Sequence, residues 1–455
     1  MRIALIRPEM SYWENKRTLP YTNLTPYALA ILAGLTPPDV EVIAYDDRLE
    51  ELPYDEPFDL VALSVGTFQA WRAYQVADRF RARGTKVVMG GFHPSFCPDE
   101  AAAHADAVAI GEAERQWPTI VEDARRGSLK RLYEQDVSQP LPDYLARTLA
   151  FHGKRYAPVS VVQFARGCKY NCDFCSVKAF YKGPSRARKI DDVVREITTA
   201  GHRWVFFVDD NLISDHERSK ELLRAITPLG LHWTSQASLD VVDDPELLEL
   251  TVKSGCVSLV IGLESLNGRN LSQMGKGWSQ TNEYQRKLAI LRDHGIMVYA
   301  TFVFGYDEDR PEDFERTLEF AFKQKFFMAN FNHLQPYPGT RLYRRLQQEG
   351  RLIYDRWWLD PRYRFGEAVF RPRGMTAEQL TEGTRRARFT FHSAAGIVRR
   401  GLDLKANLSS FRNAWVYLVM NTVSRMDVHR KQGIKLGAAA IPQGGKWDED
   451  HVHQT

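Results

Sequence analysis

Twice along this 455-residue chain, short unbroken apolar runs alternate with amphipathic stretches, and that alternation restricts the fold more than any other feature. Strands apolar along their whole length are covered on both faces, as in a parallel sheet with crossover helices. The first series predicts strands at 3–6, 40–45, 60–65, 86–89 and 107–110, with helices over 26–35, 71–83 and 114–126. It reads as a doubly wound, Rossmann-like α/β domain over 1–130, with ligands beyond the carboxyl ends of its strands. Segment 131–155 holds Gln139-Pro140-Leu141-Pro142 and reads as an extended linker. The second series, 156–345, predicts strands at 159–164, 204–208, 232–237, 258–262, 297–304 and 331–334. Helices fall between them at 190–200, 219–229, 245–254, 283–294 and 311–325. Six units predict a partial (β/α)6 barrel rather than the full eight, because the series stops near Pro338-Gly339. A mainly helical region, 346–440, follows, with an aromatic insert (Trp357, Trp358, Tyr363, Phe365, Phe370) and an apolar helix at 415–423. That helix is expected to pack as core, since its run is short and no strong charged face flanks it; a lipid-facing role is the alternative. Residues 441–455 are polar and expected to be disordered.

The second series opens on Ala165-Arg166-Gly167-Cys168-Lys169-Tyr170-Asn171-Cys172-Asp173-Phe174-Cys175. Cys168, Cys172 and Cys175 are spaced C-x3-C-x2-C on a loop after a strand. Three thiolates so placed can hold three irons of a [4Fe–4S] cluster. No fourth cysteine lies nearby, so one iron stays open to a small chelating ligand. A structural zinc would want a fourth protein ligand in a closed tetrahedron. The basic run Lys178, Lys182, Arg186, Arg188 and Lys189 reads as a solvated loop or helix start, with contact to an anionic substrate as the alternative.

Polar groups recur at the carboxyl ends of the later barrel strands, where a barrel's site lies. Asp209, Asp210 and Asn211 end the second strand, Gln236 and Ser238 the third, Glu264 the fourth and Gly305 the fifth. Glu264 is suited to accept from two hydroxyls, and Gly305 permits close backbone approach. Carboxylates at such ends also cap helices, which is the plainer reading of each alone. In the first domain the strand ends carry Ser64 and Thr67-Phe68-Gln69, then Gly90-Gly91-Phe92-His93, then Gly111-Glu112. Paired glycines there let backbone approach a flat or phosphate-bearing ligand.

The cysteine motif resembles the signature of the radical S-adenosylmethionine (SAM) enzymes. Together with the Gly90-Gly91-Phe92-His93-Pro94 and Gly111-Glu112-Ala113-Glu114 turns, residues 1–345 resemble radical SAM enzymes that carry a cobalamin (B12)-binding domain, a group that includes anaerobic Mg-protoporphyrin monomethyl ester cyclases and hopanoid methylases. The resemblance implies a [4Fe–4S] cluster on the three cysteines, with SAM on its open iron. It implies SAM contacts from Phe174, Asp209, Asp210, Asn211, Gln236, Ser238, Glu264 and Gly305. It implies cobalamin contacts from Ser64, Thr67, Phe68, Gln69, Gly90, Gly91, Phe92, His93, Gly111 and Glu112. The D-x-H-x-x-G motif that supplies a cobalt ligand in some cobalamin domains is absent, and His93 is expected as a corrin or tail contact, or a turn residue. The implied chemistry is reductive cleavage of SAM to a 5′-deoxyadenosyl radical, hydrogen abstraction from an unactivated carbon and methyl transfer from methylcobalamin. The alternatives are radical ring closure, oxidation or carbon–carbon coupling without methylation and, from another class, an iron–sulfur electron-transfer or binding protein. Because the cofactors carry the reactivity, no side chain is assigned as acid, base or nucleophile.

Composition bounds the partners. A net charge of +4 gives no field for nucleic acid. No run of about 18 apolar residues argues for a membrane span. Five cysteines make no disulfide framework, and the clustered three suit a reducing cytoplasm. The amino-terminal apolar run is too short for a signal peptide and reads as a strand. The expected partners are a small-molecule or lipid-like substrate and an external flavodoxin- or ferredoxin-type electron donor, with peripheral membrane contact open.

Overall fold

Six parallel strands form the first sheet of the computed structural model, which describes residues 1–11, 22–135, 137, 139–147, 151 and 153–437. They are β1 (Arg2–Arg7), β2 (Glu41–Asp46), β3 (Leu60–Ser64), β4 (Lys86–Gly90), β5 (Ala107–Ile110) and β6 (Leu132–Glu134), in the order β2-β1-β3-β4-β5-β6. The alternation along β3 explains the double cover. Leu60 and Ala62 join the core under helices Tyr27–Leu35 and Trp117–Arg125, while Val61 and Leu63 join the core under helix Ala70–Arg81. The sixth strand falls in the stretch expected to be linker. It has three residues and buries only Tyr133, too little for a periodic signal. The tail expected over 441–455 lies outside the described residues.

The second sheet is also parallel and six-stranded: β7 (Ser160–Val162), β10 (Trp204–Phe207), β11 (His232–Ala237), β12 (Cys256–Glu264), β13 (Met297–Phe304) and β14 (Met328–His333). Its order, β14-β13-β12-β11-β10-β7, leaves β7 and β14 as unjoined edges, so the barrel is partial. A short antiparallel pair, β8 (Ala165–Arg166) with β9 (Arg186–Ala187), flanks the cysteine loop.

The carboxy-terminal region is helical around an irregular aromatic insert. Helix Ala377–Phe391 packs along β14. The insert reaches the first domain: the ring of Phe68 lies 5.0 Å from Trp357 and 5.2 Å from Phe365, and the Trp358 indole donates to Glu100 at 3.0 Å. The helix expected as core runs over Phe411–Lys431 and does not pack that way. It buries Asn413, Tyr417 and Asn421, while Phe411 is 87% exposed and Trp415 61%. Amides face the protein because they serve stray carbonyls: Asn413 donates to Ala406 O at 2.9 Å and Asn421 to Phe327 O at 3.1 Å. None of the described helices is long and apolar enough to cross a membrane.

Candidate active site

The cysteine loop is held from below by carboxylates. Asp209 is wholly buried and accepts from the backbone N–H of Phe164 (3.0 Å) and Ala165 (2.5 Å). Asp210 accepts from Gly167 N–H at 2.9 Å. These two residues therefore shape the chain entering Cys168 rather than reaching for a ligand. Burial raises Asp209 to about 7, although the two amides oppose the shift. Asn211 is the member of that trio that touches a thiol, its amide lying 3.6 Å from Cys168 Sγ and 3.0 Å from Ser238 Oγ. Further along the loop, Lys169 N–H donates to Ser214 Oγ at 2.8 Å, Asp173 N–H to Met274 O at 2.9 Å, and the Tyr306 hydroxyl to Asp173 at 2.6 Å.

The three thiols are unbridged and partly exposed, and each lies within electrostatic reach of the others. Among the described residues no three His, Cys, Asp or Glu close around a single ion. Burial pushes Cys172 up to about 12 and Cys175 to about 11. Both thiols must lose protons to bind iron, so loading is coupled to proton release. The donor set fits a [4Fe–4S] cluster on Cys168, Cys172 and Cys175.

Glu264 ends β12 at a register shift, with a left-handed φ of 63° that costs a side-chain-bearing residue about 1–2 kcal/mol. Lys276 holds it there, Nζ lying 3.0 Å from the carboxylate. The sequence reading missed Lys276. Its positive charge also acts on Cys172, so it stands between cluster loop and strand end. Gln236 is exposed at the mouth of the barrel and free to meet a ligand there. Gly305 is not. A Cβ at this residue, φ 111°, would meet Phe370 at 2.8 Å and Leu380 at 2.9 Å, so the glycine serves packing against the carboxy-terminal region.

At the carboxyl ends of β3, β4 and β5 lies a cavity of about 290 Å³, lined by Ser64, Gly66, Gly90, Gly91, Phe92, Gly111 and Glu112, with an apolar wall from Leu32, Val88 and Ile120. Gly91, at φ 104°, would put a Cβ 2.9 Å from Val65 O, so this turn is open to glycine alone. The glycine-lined mouth lets a flat ring approach the backbone, and the apolar slot behind it suits part of a cobalamin such as its tail. Four of the expected contacts, Thr67, Phe68, Gln69 and His93, are not in its lining, and Glu112 is there but held by ion pairs. His93 does not line the cavity; its buried ring faces Tyr74 (3.1 Å) and Glu100 (3.0 Å) on the other side of the turn. Glu112 lines the cavity but is also tied to Arg166 and Arg186, each at 2.9 Å. Arg166 bonds Glu114 as well, and this buried cluster joins the first domain to the β8–β9 pair. Arg188, expected in a solvated run, is buried and paired with Glu196 at 2.8 Å. Thr67-Phe68-Gln69 is a one-turn helix that follows Gly66, on this cavity, and puts Phe68 on a second one.

The second cavity, about 240 Å³, has Phe68 from the first domain and Phe174 from the cysteine loop in its lining. Val303, Asn332, His333, Gln335, Tyr337, Tyr363, Phe365 and Arg388 complete much of its wall. Burial lowers His333 to about 4, so it is neutral near pH 7.

Comparison with known proteins agrees with this geometry. Residues 162–321 match the radical SAM superfamily model and residues 23–121 the B12 binding domain model. The chain is 29% identical to the bacteriochlorophyllide d C-12(1)-methyltransferase of Chlorobaculum tepidum, covering 88% of each. It is 30% identical to the C-8(2)-methyltransferase of that organism, over 72% of this chain and 78% of the relative. The hopanoid C-2 methylase of Rhodopseudomonas palustris is 25% identical over 73% of this chain and 66% of its own. In fold, the chain is similar to TsrM of Kitasatospora setae, solved with cobalamin and a [4Fe–4S] cluster (TM-score 0.62, 16% identity, 94% and 98% covered). It is also similar to OxsB, solved with aqua-cobalamin and SAM (TM-score 0.65, 14% identity, 94% and 72% covered). The chain belongs to the cobalamin-dependent radical SAM methyltransferase family. It is an enzyme whose cofactors are a [4Fe–4S] cluster, SAM and cobalamin.

Proposed function

We propose that this enzyme methylates a side-chain carbon of a tetrapyrrole-type small molecule. The observation that carries the reading is the second cavity, on which the first domain's Phe68 and the cysteine loop's Phe174 both open. Its aromatic wall suits a flat, largely apolar substrate. Two relatives named for bacteriochlorophyllide d support the substrate class.

When bound, the three cofactors supply electron transfer, hydrogen abstraction and the methyl group. The chain's own residues bind, orient and exclude water. Cys168, Cys172 and Cys175 hold iron, and Asp209, Asp210 and Asn211 keep their loop in register. Gln236, Ser238 and Glu264 serve SAM, with Lys276 positioning Glu264. Ser64, Gly90, Gly91, Phe92 and Gly111 receive cobalamin. The working units are the first domain, 1–130 extended through β6 to Glu134, then 156–345 and the helical region from 346, and the electron donor is a flavodoxin or ferredoxin in the cytoplasm.

We also infer peripheral membrane contact. Of the 13 large apolar residues exposed among the described ones, nine lie between Val398 and Met426. Phe411, Trp415, Leu418 and Met426 recur along one face of their helix, and exposed Arg399 and Arg425 add charge suited to anionic lipid. The double variant Phe411→Ser, Trp415→Ser should keep its stability within about 0.5 kcal/mol yet lose about 10-fold in binding to phosphatidylglycerol vesicles. Equal sedimentation of both proteins with the vesicles would refute the contact.

The test of the reaction is product balance. With methyl-labelled SAM, a strong reductant and a bacteriochlorophyllide-type chlorin, methylation yields 5′-deoxyadenosine and S-adenosylhomocysteine together, with label in the chlorin. Deoxyadenosine without S-adenosylhomocysteine would mean ring closure or oxidation instead.

A further inference from the structure

We propose that the second cavity ends in an anion-binding subsite, built around Arg388, that takes a carboxylate carried by the substrate. This rests on the substrate reading above for the aromatic wall, but the charged end is argued from its own contacts.

Four other enclosed guanidinia, Arg72, Arg166, Arg188 and Arg400, are compensated. Arg72 pairs with Asp47, Arg166 with Glu112 and Glu114, and Arg188 with Glu196. Arg400 has no carboxylate, but the carbonyls of Gly396, Phe326, Phe327 and Phe391 and the amide of Asn421 take its N–H groups at 2.8–3.2 Å. Arg388 differs from all of these. Its one contact under 3.0 Å is Nη2 to Phe331 O, at 2.9 Å. The remaining contacts, to Phe331 O again, Gln432 and Asn332, are 3.3–3.5 Å long. No ion pair of Arg388 is found among the described residues, and no acidic side chain lines its cavity. Burial lowers its pKa, as expected of a charge without a counter-ion.

Three further polar atoms at this cavity are poorly served by the described residues. Among the described residues, both ends of the Gln335 amide are buried with no hydrogen bond, and the buried hydroxyl of Tyr363 has no well-formed one, with only the Gly366 backbone near it. Leaving such a group unpaired costs about 1–3 kcal/mol. Their gathering beside an under-used guanidinium is what a site looks like before its ligand arrives. A carboxylate accepts charge-assisted hydrogen bonds from a guanidinium and has lone pairs left for an amide N–H and a hydroxyl. His333, neutral on the same wall, adds no competing charge.

The test is equilibrium dialysis of the anaerobically reconstituted holoenzyme against two acid and ester pairs. The first is pheophorbide a and its methyl ester. The second, 1-pyrenebutyric acid and its methyl ester, has an aromatic body and no macrocycle. The wild type should bind at least one acid about 10-fold more tightly than its ester. Arg388→Gln should erase that preference by weakening the acid alone, and Arg388→Lys should restore part of it. Iron and cobalt contents report whether each variant folds; should Arg388→Gln fail, Gln335→Leu replaces it and should lower the acid preference. A preference confined to the pyrene pair would keep the subsite and discard the tetrapyrrole reading. Tight binding of both chlorins with no acid preference would discard the subsite and keep that reading. Absence of an acid preference in both pairs, or one unchanged in the variants, overturns the proposal.

Discussion

The cysteine loop and the cavity bounded by Arg388 lie in one barrel and treat polar groups in opposite ways. Around the loop the carboxylates are used: Asp209 holds Phe164 and Ala165, Asp210 holds Gly167, and Glu264 holds Lys276. Around the cavity, among the described residues, the Gln335 amide has no partner and Tyr363 and Arg388 have poor ones. A loop that must present three thiols to one cluster gains from being rigid before the metal arrives. A pocket that must tell one substrate from another gains from groups that only the right ligand satisfies, because an analogue lacking the matching group leaves them unpaired. The chemistry is prebuilt at one end, and selectivity is left open at the other.

The contrast can be broken in several ways, the largest effect coming from the loop itself. Cys172→Ala, reconstituted anaerobically, should lose the [4Fe–4S] spectrum and with it all SAM cleavage. A full cluster with active cleavage would remove Cys172 from the ligand set. Next is the clasp between the domains. Arg166→Met strands Glu114 as a buried charge and leaves Glu112 to Arg186 alone, and denaturant titration should show a loss of about 3–5 kcal/mol with lower cobalt retention. A loss under 1 kcal/mol would mean that the clasp is solvated in solution.

Third is the pH response. Burial holds Asp209 at about 7 rather than 3.8, so the folded protein keeps a proton that the unfolded chain releases. That contribution is complete below about pH 4 and is lost as pH rises towards 7. Asp209→Asn cannot titrate, so across this window the wild type should lose about 3–4 kcal/mol relative to the variant in urea unfolding. Parallel pH curves for the two proteins would contradict the buried, protonated carboxyl. The smallest effect is at the strand end. Glu264→Gln should weaken SAM about 10-fold, or 1.4 kcal/mol, with cluster content intact. An unchanged SAM dissociation constant would leave Glu264 as a partner of Lys276 and nothing more.

What was legible in the sequence followed from local signals. The C-x3-C-x2-C loop needs only its own spacing, and β11 and β13 match their expected bounds because apolar runs there are bounded by clear turns. Contacts between distant segments were not legible. Asp209 and Asp210 read as ligand residues at a strand end, but their partners lie more than 40 residues earlier. Lys276 sits in a glycine-flanked loop with no pattern to mark it. Phe411–Lys431 misled in a different way: its apolar residues suggested core, and only the placement of Asn413 and Asn421 shows which face is inside. The Arg388 pocket could not be seen either, since Phe68, Phe174, Gln335 and Arg388 come from four separate stretches of chain.

The most direct test of the account is metal stoichiometry in protein purified anaerobically from a cobalamin-fed host. The account predicts close to one cobalt and four irons per chain. Four irons with no cobalt would leave the radical SAM barrel standing and contradict the reading of the glycine-lined cavity as a cobalamin site, and the methyl-transfer assignment would fall with it.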